Sequence, residues 1–269
     1  MKIIVASDLS NRSEHAVRRA FAIAKQQGGE LIVLHALDQD LPNALSTLLH
    51  ENTLFILERF CRSLAQDVRY RIEMREGDPT AELLRAGADA DLMIMGVHRP
   101  RPFLDALRET TMSRVVRLLE TPVLLVTGQN EQPYQNVLAA CDFSNAAKAA
   151  VEAANQLAPQ ARLTPLHALH LPYPGLLEAE DDLERTYRQE ADALGAEWAA
   201  SVEVPQEKLA PLRIQIGEPL RIINNIVKTE AVDLIAIGAH GRVGARAGLL
   251  GSLASDLVRR PPCDVLISR

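Results

Sequence analysis

The chain says the same thing twice, and that repetition constrains its fold more than any other feature. Lys2–Ser10, an apolar run ending in Asp8-Leu9-Ser10, returns as Asn136–Ser144, ending in Asp142-Phe143-Ser144. Leu31–Ala36, with His35, returns as Leu163–Ala168, with His167. Gly77-Asp78-Pro79 returns as Gly217-Glu218-Pro219, and Asp91–His98 as Asp233–His240. Pro122–Val126 returns as Asp264–Ser268. These anchors keep their order, and the period is too long for a solenoid, so each copy is expected to be a whole domain. The seam falls in Gly128–Pro133, a polar stretch ending in proline that reads as a linker. The expected division is therefore 1–128, a linker over 129–134, and 135–269. With 269 residues, each half is long enough for its own core.

Within a copy, strand and helix patterns alternate. Ile3–Ala6 is a short apolar run of the buried-strand kind. Ala16, Val17, Ala20, Phe21 and Ala24 recur at helical spacing, and Gly28-Gly29 supplies a stop. Leu31–Ala36 is the second strand. Tyr70, Ile72 and Met74 alternate with charged residues, which predicts a third strand with one more exposed face. Asp78 and Pro79 read as an N-cap and first-turn proline, and Leu92–Met95 and Val123–Val126 complete the set. Such alternation predicts an α/β fold: two similar domains, each a doubly wound five-stranded parallel sheet with helices on both faces. The poorly matched segments 38–68 and 171–210 each read as a helix with a variable loop. The final strands of the two copies are expected at sheet edges, where they could pair internally. A homodimer of the whole chain stays open.

Composition narrows the function. A net charge of −6 argues against non-specific binding to nucleic acid or acidic membranes. No apolar run approaches a membrane span, and the start shows no cleavage-type signal. Cys61, Cys141 and Cys263 are odd in number and far apart, which fits neither a disulfide framework nor a zinc ribbon. A reduced, cytoplasmic setting is the simplest expectation.

The chemistry concentrates after the fourth strand of the second copy. Gly238-x2-Gly241-x9-Gly251-Ser252 joins a strand to a helical pattern. Glycine lacks Cβ, so its N–H can approach a phosphate closely and its φ can turn positive. Ser252 reads as the N-cap of the next helix, whose first-turn N–H groups would face the same point. Arg242 and Arg246 add positive charge in the intervening loop. In an order 3-2-1-4-5 the ligand crevice lies where the order reverses, between the strands ending at Asp142 and Gly238. The plain alternative is that these are turn glycines only.

The stretch Gly238–Ser252 resembles the ATP-binding motif of the universal stress protein family. The starts Ile3–Ser10 and Val137–Ser144 and the His-Ala pairs after the second strands resemble it too. The resemblance covers nearly the whole chain as tandem copies. It implies that Asp142 contacts the nucleoside, and that Ala168 offers backbone groups to adenine. It places phosphate and ribose contacts on Gly238, Gly241, Gly251 and Ser252. Ala140, Cys141, His240, Arg242 and Leu253 would line the same pocket. The implied cofactor is ATP, with or without Mg2+, and the implied role is stress-response regulation through an unidentified protein partner.

The first copy departs from the pattern. It keeps Asp8, Gly96 and a hydroxyl at Thr110, but Arg99 and Glu109 replace two glycines, and Pro100 and Pro102 remove N–H donors. A carboxylate near a triphosphate repels it by about 1 kcal/mol at 4 Å in water, and by more where partly buried. The first copy is therefore expected to bind ATP poorly or not at all, with Arg99 approaching Glu109 across a closed site. One nucleotide per chain follows.

Other residues carry less. His35 and His167 read as strand-end histidines bonded to backbone, and no cysteine or carboxylate completes a metal set around them. Cys141 reads as a small buried filler, and Asp8 and Asp142 compete with Ser10 and Ser144 for helix capping. The acidic run Glu178–Asp182 reads as a solvated helix start. Trp198 fits either core or lid. No nucleophile–base pair or paired carboxylates stand near the cradle, so any ATPase or autokinase activity is expected to be weak. The competing readings are an enzyme of a related nucleotide-binding fold, and a scaffold or apolar-ligand (lipid) binder using the first copy and the apolar 38–68 segment. Leu48, Leu49, Leu54, Phe55, Ile56 and Leu57 make that segment apolar, and core packing is its simpler explanation.

Overall fold

The computed structural model describes residues 1–37, 43–97, 110–170, 180–241 and 249–269. Two compact units emerge: Met1–Pro133 with Val258–Asp264, and Tyr134–Leu257 with Val265–Arg269. Unit 1 holds β1 (Lys2–Ala6), α1 (Asn11–Gln27), β2 (Glu30–Leu37), α2 (Asn43–Leu64), β3 (Arg69–Glu76), α3 (Pro79–Gly87), β4 (Leu92–Gly96), α4 (Thr111–Leu118) and β5 (Val123–Val126). The second half runs through β6 (Asn136–Ala140), α5 (Asn145–Leu157), β7 (Arg162–Leu169), α6 (Glu180–Ser201), β8 (Arg213–Ile216), α7 (Pro219–Thr229), β9 (Leu234–Gly238), α8 (Ser252–Arg259) and β10 (Asp264–Ser268).

The strand order in unit 1 is β3-β2-β1-β4-β5, with parallel pairing throughout. In the second half it is β8-β7-β6-β9-β10, and β6 pairs parallel with both β7 and β9. The registers repeat as well. Lys2 pairs with Glu30 and Ile3 with Leu92; Asn136 pairs with Arg162 and Val137 with Leu234. In each sheet the order reverses between the first and fourth strands, so the loops leaving those strands diverge and open a crevice.

Local chemistry explains the elements. The central strands are apolar on both faces because helices cover both faces, and Ile3, Ile4, Val5, Leu234, Ile235 and Ala236 are all buried. Ser10 and Ser144 cap α1 and α5, their hydroxyls accepting from Ser13 and Ala147 N–H. Asp78 and Glu218 cap α3 and α7, with Pro79 and Pro219 in the first turn. Asp8 and Asp142 are not the caps: each carboxylate holds the cap serine. Asp142 Oδ1 accepts from Ser144 N–H at 3.1 Å and from its hydroxyl at 2.6 Å, and Asp8 does the same for Ser10 at 3.0 and 2.5 Å. The residue between them, Leu9 or Phe143, is forced into the left-handed region at φ 62° and 64°. Such a conformation costs a non-glycine residue roughly 1–3 kcal/mol, which the Asp–Ser bonds hold in place.

α2 corrects one expectation. Leu57 is buried and Leu49 and Leu54 are half-buried, but Leu48, Phe55 and Ile56 are 54%, 66% and 50% exposed, so core packing accounts for only part of this segment's apolar residues. The buried positions Thr53, Leu57 and Cys61 lie four apart on one stripe, and the rest of the helix turns outward. Trp198 on α6 is 6% exposed and belongs to the core. No helix among the described residues is long and apolar enough to cross a membrane.

Candidate functional site

At the crevice between β6 and β9 lies a cavity of about 230 Å3. Ala140, Cys141, Asp142, Ala168, Gly238, His240, Gly241, Gly251, Ser252 and Leu253 all line it. Arg242 lies outside the described residues, as do Arg246, His98 and the expected Arg99–Glu109 approach. Leu166, His167, Pro219, Ile223, Ile237 and Ala254 complete the wall. The α7 contribution was missed in sequence, although the repeated Gly-x-Pro anchor was its signal. Pro219 and Ile223 are four apart, so they share one face of the helix that Glu218 caps.

The three glycines do different jobs. A Cβ on Gly238 would lie 2.7 Å from the Ala146 carbonyl carbon and 2.9 Å from Ala147 N. Gly96 is in the same position, 2.5 Å from Arg12 O and 3.0 Å from Ser13 N. Both glycines let a strand end pass beneath the first turn of a helix, so the helix by itself already demands glycine at 238. That explains why Gly96 persists where the rest of the motif is altered. A Cβ on Gly241 would instead lie 2.9 Å from Asp142 Oδ2, and one on Gly251 would meet nothing closer than 3.6 Å. None of the three has a left-handed φ, so room and not an unusual backbone distinguishes them.

Helix α8 also corrects the cap. Ser255 N–H donates to Gly251 O at 2.9 Å, so Gly251 holds the cap position and Ser252 is the first helical residue. The Gly251 N–H itself donates to Ala239 O at 2.8 Å and is not available to a ligand. A glycine cap has no side chain to offer. The N–H groups of Ser252, Leu253 and Ala254 therefore have no carbonyl within the helix and, among the described residues, no capping oxygen, which leaves a small electropositive point at the cavity wall. The Ser252 hydroxyl is exposed beside it.

The polar side chains are held firmly. His167 Nδ1–H donates to Cys141 O at 2.8 Å, as His35 does to Ser7 O, so both strand-end histidines bond backbone. Burial pushes the His35 imidazole below its ordinary pKa, against the Ser7 bond and the nearby Asp8 charge. The His167 ring stacks on Phe143, centroids 4.5 Å apart, and Phe143 meets Trp198 edge-on at 6.5 Å. Arg269 Nη1 donates to His240 Nε2 at 2.5 Å, which leaves that nitrogen as an acceptor. Cys141 is buried, its N–H on Leu166 O and its carbonyl on His167, in keeping with a packing role.

A family model described as the universal stress protein family matches residues 1–127 and again 133–269. The chain belongs to the universal stress protein family. Two universal stress proteins of Mycobacterium tuberculosis strains are each 26% identical to it over 293 residues, covering 99% of this chain and 96% of theirs. A universal stress protein from Archaeoglobus fulgidus shares the fold over 100% of this chain and 98% of that one, with a TM-score of 0.70 at 20% identity. A putative universal stress protein from Pseudomonas aeruginosa does so over 99% and 92%, with a TM-score of 0.66 at 20% identity. Tandem universal stress proteins thus match this one end to end.

Unit 1 carries a second cavity at the matching crevice, about 370 Å3 in volume and lined by Asp8, Ala36, Pro79, Gly96 and Thr110 among others. The expected closure of this site turns on residues 99–109, which lie outside the described residues. Leu34, Ala36, Pro79 and Leu83 line it where unit 2 has Leu166, Ala168, Pro219 and Ile223. Among the described residues no group of three or more His, Cys, Asp or Glu side chains could hold a metal ion. Asp142 is the one carboxylate on the unit 2 cavity wall among them, so Mg2+ there would depend on ligand oxygens.

Proposed function

We propose that the second domain binds one ATP, and that the chain acts as a nucleotide-dependent stress-response regulator. The observation that carries this reading is the glycine-capped start of α8, whose first-turn N–H groups, unbonded among the described residues, meet a cavity with room at Gly251. Adenine would occupy the apolar end formed by Ala140, Leu166, Ala168, Pro219 and Ile223. Asp142, fixed by Ser144, would face the ribose, and the phosphates would lie against Gly241, Ser252 and Leu253. Arg242 would add charge compensation.

Catalysis of hydrolysis fits the site poorly. Asp142 Oδ1 is committed to Ser144, His167 Nδ1 to Cys141 O, and His240 Nε2 to Arg269. Among the described residues no side chain here is arranged as a general base for water. Hydrolysis, or transfer to the Ser252 hydroxyl, is therefore slow. Occupancy would bias a surface read by a protein partner. The test is mass spectrometry of ligand co-purified with native protein and with Gly241→Arg, which copies Arg99 into the second half. Native protein should carry adenine nucleotide at one per chain and the variant none. Retention in the variant overturns the assignment.

A further inference from the structure

We infer that the cavity at the amino ends of β6 and β7 is a ligand site separate from the crevice, one that takes a small carboxylate with an aliphatic body on Arg162.

The duplication supplies the comparison. At this end of unit 1, β2 and β3 pair without interruption from Glu30–Arg69 to Leu37–Glu76. Ile32, within that ladder, is 1% exposed. The Arg71 guanidinium lies between two carboxylates of the sheet, bonded to Glu30 and, at 3.0 Å, to Glu73. This end is packed and its charges are matched.

Unit 2 changes all three features at the corresponding positions. β7 and β8 pair only over Leu166–Leu169 with Arg213–Ile216, and before that Leu163 bridges Leu209. Between the two pairings β7 advances from 163 to 166 and the facing chain from 209 to 213, so the facing chain carries one extra residue. A bulge of this kind bends the strand that holds it, and Pro211 inside it has no N–H for the ladder. The packing residue changes too. Ile4 pairs with Ile32 and Leu138 with Thr164, so a half-buried threonine stands where unit 1 has a buried isoleucine. Thr164 lines a cavity of about 550 Å3 with Leu138 and Leu212. Such a volume lies within the ~300–1,000 Å3 typical of small-molecule sites.

The charges are inverted. By register Arg162 takes the place of Glu30, and Arg213 that of Glu73. Both arginines line the cavity. Glu230, at the end of α7, accepts from Arg213 through two bonds of 2.7 and 2.8 Å. Those bonds hold its carboxyl below the ordinary range. Among the described residues no carboxylate does the same for Arg162. A ligand carboxylate would complete the inverted set, because a guanidinium presents two parallel N–H groups that match its two oxygens. Leu138 and Leu212 offer nothing to a polar group, so the part of the ligand lying against them is aliphatic. A phosphate dianion fits less well, since one uncommitted cation faces it and the ionised Glu230 repels it.

The experiment is calorimetric titration of the full chain with octanoate, alone and in excess inorganic phosphate. It compares wild type with Arg162→Glu, which copies Glu30, and Thr164→Ile, which copies Ile32. A third variant, Ala168→Phe, fills the crevice at the other end of the sheet. Wild type should take one octanoate per chain, and phosphate should not displace it. Arg162→Glu and Thr164→Ile should each weaken it at least tenfold, and Ala168→Phe should leave it unchanged. If either packing variant melts well below wild type, Thr164→Val or Ala168→Leu replaces it. No octanoate on wild type, wild-type affinity in Arg162→Glu or Thr164→Ile, or loss in Ala168→Phe overturns the site. Displacement by phosphate overturns the choice of a carboxylate.

Discussion

Substituting the two ends of the glycine motif should separate packing from binding. In Gly238→Ala the new methyl lies 2.7 Å from the carbonyl carbon and 2.8 Å from the Cβ of Ala146, and 2.9 Å from the Ala147 nitrogen. Carbon contacts prefer about 3.5–4.0 Å, so α5 must shift away from β9 by close to an ångström. All three atoms belong to a helix turn and none is the end of a flexible side chain. Overpacking of that kind costs about 1–3 kcal/mol. At about 2–4 °C per kcal/mol for a protein of this size, the melting temperature should fall by roughly 2–12 °C. ATP should still raise it, because the phosphate-facing groups are untouched. Gly251→Glu, which copies Glu109, should behave in the opposite way. Its Cβ meets nothing closer than 3.6 Å, so apart from a lost glycine cap of about 1 kcal/mol the fold is little disturbed. Its carboxylate opposes a phosphate by about 1 kcal/mol at 4 Å in water and more in the cavity, which weakens ATP by roughly tenfold or more. The assay is thermal unfolding with and without ATP, since saturating ligand at 100 Kd adds about 2.7 kcal/mol of stability. The reasoning is refuted if Gly238→Ala melts with wild type, or if Gly251→Glu keeps the full ATP-induced shift.

Two further outcomes follow from the same geometry. Because burial depresses the His35 pKa, the unfolded chain takes up a proton that the fold resists; the stability His35 contributes is complete above about pH 6.5 and is lost as pH falls through its folded value. Urea midpoints of wild type should decline more steeply from pH 7 toward pH 5 than those of His35→Gln, and parallel curves would argue against this. Trp198 is the sole tryptophan and reaches the unit 2 cavity through Phe143 and His167, so ATP should cause a saturable change in its fluorescence. Phe143→Leu, which copies Leu9, should remove that change while leaving ATP stoichiometry at wild type; an undiminished signal would show that the stack does not connect them.

Much of the fold was legible because its causes are local or repetitive. Alternating strand and helix periods, proline after an acidic cap, and a duplicated order of anchors require only neighbours in the chain, and they dictated two doubly wound halves. The histidines at 35 and 167 were legible for the same reason: a ring at a strand end has backbone carbonyls within reach. The candidate glycines came from motif spacing and Asp142, Ala168 and their neighbours from the family resemblance, and those that the structure describes line one cavity. The far wall at Pro219 and Ile223 did not come that way, because α7 reaches the crevice only through the crossover that packs it on the sheet.

What the sequence by itself determined is therefore the duplication, the strand order it implies, and which half holds the unbroken glycine pattern. The tertiary structure decided what each glycine is for. A glycine carries no record of what its missing Cβ would touch; only the approach of α5 shows that Gly238 serves packing and that Gly251 leaves room.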